Sequence, residues 1–182
     1  MRGTKRTVAI GPFFNKVVRD GLNAALLVSS LGFSVGIFAE SQVISISSNN
    51  TNYFPGESFK ASILYETTDN NVATGVGIRV HYDSSQLSVD AITNILYQSN
   101  VGTQINQDTA DYDNDPLTDK FVTAGWADTN RQWPEYSGQQ VTLLDLMIST
   151  SDEFEGSQIN VTLSSGDVSY SGLSGSLKLT SN

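Results

Sequence analysis

From residue 40 onward, apolar side chains recur at every second position, and no apolar pattern at helical spacing lasts three turns. Alternation at period two lines one face of an extended strand, whereas a helix needs a period near 3.6. In "SFKASILYE", Phe59, Ala61, Ile63 and Tyr65 fall on one face, with Lys60, Ser62 and Glu66 on the other. In "GVGIRVHY", Val76, Ile78, Val80 and Tyr82 point one way; Arg79 and His81 point the other, outward, with His81 read as a surface or cross-strand histidine. In "KFVTAGWAD", Val122, Ala124 and Trp126 alternate against Phe121, Thr123 and Gly125. "QVTLLDLMIST" sets Leu144, Leu146 and Ile148 against Leu143, Asp145 and Met147. "QLSVDA" and "SQINVTL" repeat the pattern, with shorter strands expected at Val43–Ser47 and Leu177–Leu179.

Turn formers separate these runs: Pro55-Gly56, "TTDNN", Asp83-Ser84-Ser85, and glycines at 156, 166, 172 and 175. About nine short strands between such breaks predict an all-β fold, an antiparallel β-sandwich of jelly-roll type. There is no internal repeat and no linker, so residues 40–182 read as one domain. The strand signal fades across 92–119, a long polar connection with room for a short strand or one helical turn near Ile95–Tyr97. Connections of that length inside compact domains are usually functional or disordered.

The N-terminal part has a different character. Arg2, Lys5, Arg6, Lys16 and Arg19 precede an uncharged, mostly apolar run from Gly21 to Ala39. This is the layout of a secretory signal peptide over residues 1–39. Ile37, three residues before the expected cut, is larger than such sites prefer, and the run is long enough to serve as an uncleaved membrane anchor. Either reading makes the domain secreted or displayed at the cell surface.

The whole chain carries 19 acids and 10 bases, for a formal charge of −9. Without residues 1–39 it carries 18 acids and 5 bases. Such a surface repels nucleic acid and anionic membranes and attracts divalent cations. There is no cysteine, which excludes disulfides, thiol catalysis and thiolate metal sites. A domain of this length buries roughly 68–70% of its unfolded surface, enough for a core without covalent staples.

The acids cluster in "DYDNDPLTDK". Asp111, Asp113 and Asp115 alternate, Asp108 precedes them and Asp119 follows. Ca2+ takes six to eight oxygens from a flexible loop, and the first three spacings match an EF-hand. The match then fails, because Pro116 stands where that loop needs Gly and Val122 where it needs Glu. An unrelated calcium loop and a solvated acidic loop both remain open; in the first, Asp108, Asp111, Asp113, Asp115 and Asp119 are the candidate ligands of a structural Ca2+.

Trp126 falls on the core face of its strand. Trp133 and Tyr136 lie in the loop "NRQWPEYSG", where aromatic rings either plug the end of a sandwich or contact a sugar or protein partner. His81, the single histidine, has no serine or carboxylate singled out beside it, and no carboxylate pair stands in an apolar setting. The expected function is therefore binding, not catalysis.

The order of "VISISS", "YFPGESFKASILYE" and "ATGVGIRVHYDSSQLSV", followed by "LLDLMISTSDEFEGSQINVTLSSGDVS", resembles the cohesin domain and its carbohydrate-binding relatives. The Pro55-Gly56 turn opening a strand and the Tyr82-Asp83 corner closing one carry the likeness, which spans roughly residues 42–180 apart from the acidic loop. The resemblance implies a nine-stranded sandwich that recognises a dockerin-like protein module, with polysaccharide as the alternative partner. The acidic insertion has no counterpart in that pattern.

Overall fold

The structure, a computed structural model, describes residues 40–97, 102–135 and 139–182. The signal segment expected over residues 1–39 lies outside the described residues. Among the described residues eleven strands follow one another: β1 (Ser41–Ser48), β2 (Asn52–Tyr53), β3 (Ser58–Thr67), β4 (Gly75–Tyr82), β5 (Leu87–Thr93), β6 (Gly102–Gln107), β7 (Lys120–Ala127), β8 (Val141–Thr150), β9 (Gly156–Ser165), β10 (Ser171–Leu173) and β11 (Gly175–Ser181).

They form two sheets, one ordered β10-β1-β3-β8-β5 and the other β2-β11-β9-β4-β7-β6. The fold is an all-β sandwich, as the alternation requires. Its sheets are mixed rather than purely antiparallel: β10 joins β1, and β2 joins β11, in parallel. Strands β2, β6 and β10 raise the count above nine. All three are short and lie at sheet edges, where ladder hydrogen bonds hold a strand that buries little.

The core lies between the sheets. Ile44, Phe59, Ile63, Tyr65, Leu146 and Ile148 from the first sheet pack with Val76, Ile78, Val80, Val122, Trp126, Ile159 and Val161 from the second. Leu143 departs from the expected outward phase. Ile63 pairs with Leu144 and Leu64 with Thr142, so Leu143 is the extra residue of a bulge. Both Leu143 and Leu144 are then fully buried.

The two turns that carried the resemblance form as their sequences require. Glu57 N–H donates to Phe54 O, and Gly56 between them has φ +76°. That geometry is a type II turn, which needs a positive φ at its third residue. Asp83 Oδ1 accepts the Ser85 N–H at 2.8 Å, and Asp83 O accepts the N–H groups of Gln86 and Leu87, which ends β4.

The expected connection over 92–119 is divided. β5 runs to Thr93, a turn follows at Leu96–Tyr97, and β6 pairs with β7 from Gly102↔Gly125 to Gln107↔Lys120. The acidic stretch is therefore the loop of the β6–β7 hairpin, closed at its neck by the Asp108 N–H donating to Asp119 O at 2.8 Å.

Candidate functional site

The acidic hairpin loop folds back over the outer face of the second sheet. There it covers His81 of β4, which is 0% exposed. The strand alternation gave His81 its correct phase, away from the core; of the surface and cross-strand readings the surface one is corrected, because a loop remote in sequence lies on top of it. His81 Nδ1 is 2.7 Å from Asp108 Oδ2 and 3.8 Å from Asp113 Oδ1. His81 Nε2 is 2.9 Å from Thr162 Oγ1 on the neighbouring strand β9. The side chains of His81, Asp108 and Asp113 are 0%, 0% and 1% exposed.

Neutral donors complete the surroundings. Asn160 Nδ2, on β9, donates to Asp113 Oδ2 at 2.8 Å and reaches Asp115 Oδ2 at 3.3 Å. Thr118 Oγ1 lies 3.0 Å from both carboxylate oxygens of Asp113. The Tyr112 N–H donates to Asp108 Oδ1. Above them, the Arg79 guanidinium stacks on the Tyr112 ring at 4.0 Å, and Phe121 packs edge-on to that ring.

Of the five aspartates expected to hold calcium, Asp108 and Asp113 meet at His81, and Asp115 adjoins them through Asn160. Asp111 and Asp119 do not join this group. Asp111 is an exposed turn residue with φ +50°, whose carbonyl accepts the Asn114 N–H. Asp119 turns to the β4–β5 corner, where its carboxylate accepts the Ser84 N–H and hydroxyl, both at 2.7 Å. Those hydrogen bonds hold its carboxyl below the ordinary aspartate range against the opposing effect of burial. The sequence reading missed His81, Asn160 and Thr162 as neighbours of the loop, because the contacts join β4, β9 and the hairpin loop.

Comparison with known proteins places this architecture. The seventh ScaB type I cohesin from Pseudobacteroides cellulosolvens superposes with a TM-score of 0.52 at 8% identity, over 78% of this chain and 94% of that one. The third ScaC cohesin from Acetivibrio cellulolyticus, solved with the ScaB dockerin, gives 0.51 at 13% identity over 76% and 99%. A type I cohesin–dockerin complex of OlpC from Clostridium thermocellum gives 0.50 at 11% identity over 78% and 95%. The domain has a cohesin-like fold. No protein-family model and no curated protein matches the sequence.

In this cohesin-like sandwich the second aromatic candidate is interior. Trp133 is 3% exposed, packs edge-on against Tyr65 with centroids 4.5 Å apart, and lies 6.3 Å from Trp126. Its backbone pairs with Ala73 in both directions, through N–O distances of 2.7 and 3.1 Å. Of the two readings of Trp133, the plug holds and the sugar or partner contact is corrected: the ring closes one end of the core and offers no free face. Tyr136 lies outside the described residues. Trp126 is core as expected, and its Nε1–H donates to Leu96 O at 2.7 Å. The aromatic and large aliphatic side chains left in solvent include Tyr112 (50% exposed) and Leu117 (72%), both on the acidic loop of the cohesin-like domain.

Proposed function

We propose that the chain is an exported, non-catalytic recognition module of cohesin-like type whose partner is a protein module of the dockerin class. The observation that carries this reading is the fold: an eleven-stranded sandwich similar to cohesins that were solved with dockerins bound. Export rests on the basic-then-apolar pattern of residues 1–39. The outer face of the second sheet supplies the contact surface. There the acidic loop raises Tyr112 and Leu117 into solvent beside a field of carboxylates. Aromatic and aliphatic anchors ringed by charge are the pattern of an interface centre with a polar rim.

The test is titration calorimetry of the chain against a panel of dockerin modules, with pull-down on insoluble polysaccharides as the rival arm. Saturable binding to a dockerin, weakened at least tenfold by combining Tyr112→Ala with Leu117→Ala, supports the reading. Retention on polysaccharide with no dockerin binding replaces it with the carbohydrate-binding alternative.

A further inference from the structure

We propose that His81, Asp108 and Asp113 form a binding site for a divalent first-row transition cation of the zinc class. The inference is independent of the recognition reading. It begins from the ligand atoms. One oxygen from each aspartate and a ring nitrogen of His81 lie within 4.8 Å of one another. Nδ1 is 2.7 Å from Asp108 Oδ2 and 3.8 Å from Asp113 Oδ1. Donors on a tetrahedral zinc with bonds of about 2.0–2.1 Å are spaced by roughly 3.3 Å, and these two distances bracket that value.

Every ligating residue has its other polar atom held by a different group. Thr162 Oγ1 takes the Nε2 side of His81, while Nδ1 is hydrogen-bonded to Asp108 Oδ2 at 2.7 Å, and a cation would take the place of the proton in that contact. Asn160 Nδ2 holds Asp113 Oδ2, and Thr118 Oγ1 lies 3.0 Å from both oxygens, so Oδ1, on the His81 side, keeps one further lone pair for the cation. The Tyr112 N–H holds Asp108 Oδ1, which turns Oδ2 toward His81 Nδ1. Such outer partners orient metal ligands and set ring tautomers.

Charge points the same way. Two carboxylates with essentially no solvent exposure face one imidazole and several neutral donors, and the nearby Arg79 guanidinium is stacked on Tyr112 and forms no ion pair with either among the described residues. Buried charge of one sign is normally paired or bound to a metal. A cleft of about 380 Å³, lined by Asp113, Asp115, Asn160 and Thr162 and continuing over Ser174–Ser176, adjoins the three side chains.

The donor set selects the cation. Calcium takes six to eight oxygens, whereas one of the three donors here is an imidazole nitrogen, which suits zinc and its neighbours. Of the further oxygen ligands that a calcium loop would draw on, Asp119 is turned to Ser84 and Asp111 is an exposed turn residue, so only Asp115 stays beside the group.

The experiment is calorimetric titration of the metal-stripped full chain with zinc chloride and, separately, calcium chloride, with thermal melting in parallel. One zinc per chain is expected, with affinity at least tenfold above that for calcium. At zinc about 100 times Kd, the melting temperature rises by roughly 5–10 °C. Cobalt(II) in the same site gives the intense visible absorption of a four- or five-coordinate centre. Asp113→Asn keeps the side-chain shape and lowers zinc affinity more than tenfold. Thr162→Val leaves all three ligands in place and lowers it about tenfold. The proposal is overturned by the absence of saturable zinc binding, by zinc binding that neither variant weakens, or by calcium binding the tighter of the two.

Discussion

Gln42 and Asp167, 125 residues apart, are joined by a buried hydrogen bond of 2.7 Å from the Asp167 N–H to Gln42 Oε1. The same amide, 1% exposed, donates through Nε2 to the Tyr65 hydroxyl and to Gly75 O, both at 2.9 Å. Gln42 and Tyr65 belong to the first sheet and Gly75 opens β4 in the second, so one side chain ties the two layers at their end. Burial pushes the Tyr65 phenol up to about 12, which keeps it neutral in this contact.

Replacing Gln42 with Leu fills the same space but leaves a phenol oxygen, a carbonyl and an N–H without their partner. Each orphaned buried group costs about 1–3 kcal/mol. With partial relaxation, Gln42→Leu is expected to lower unfolding free energy by about 3 kcal/mol, read from urea denaturation at constant m-value.

Trp133→Ala removes a ring wedged against Tyr65 and Trp126, and is expected to cost about 3–5 kcal/mol. Its Nε1 is buried with no hydrogen-bond partner among the described residues, so Trp133→Phe sacrifices no polar contact and is expected to cost no more than about 1.5 kcal/mol. Thermal melting separates the two. Because both tryptophans are interior, native emission resists acrylamide quenching; efficient quenching would contradict the burial of Trp133.

Gly75 sits at φ +127°, and a Cβ there would meet the Trp126 carbonyl oxygen and lie 2.9 Å from Ala127 Cα. Both obstacles are backbone of the paired strand β7, which cannot move without breaking the β4–β7 ladder. Gly75→Ala is expected to destabilise by at least about 2 kcal/mol, measured by chemical denaturation. Gly125, with open space where its Cβ would stand, is the control, and Gly125→Ala is expected to be close to neutral.

Acid should unfold the protein through a small set of carboxylates. At Asp69, burial works to raise the pKa. The Asn71 backbone and side-chain N–H groups and the Tyr170 hydroxyl outweigh it and bring the value to about 2. At Asp145, burial is likewise outweighed by Ser62, Lys60 and Asn94, and the carboxyl lies below the ordinary range. Asp167 is lowered by the Ser169 N–H foremost, with Thr74 adding. A folded-state value below the unfolded one contributes stability that is complete above the unfolded aspartate value of about 3.9 and disappears as pH falls through the folded value. Melting temperature is therefore expected to fall between about pH 4 and pH 2 through these groups, and Asp69→Asn to shrink that fall. An unchanged acid profile in Asp69→Asn would refute its part.

Much of the fold was legible in the residues alone because burial on one face of a strand imposes period two. Phe59 to Tyr65 and Val76 to Tyr82 could be assigned their faces from that rule, and Pro55-Gly56 and Tyr82-Asp83 their turns from backbone sterics and local hydrogen bonding. β6 was not legible: "GTQINQ" is an edge strand held by its ladder to β7, and edge strands need no hydrophobic alternation. The acidic loop could be read as a charge cluster, and no more than that. Whether five aspartates face one point or several is decided by where β4 and β9 run beneath them, a relation between segments up to 81 residues apart in chain. Local chemistry acts over a few residues, so the sequence by itself determined strands, turns and charge. Only packing of the layers placed Asp108 and Asp113 on His81, turned Asp119 to Ser84 and sealed Trp133 inside.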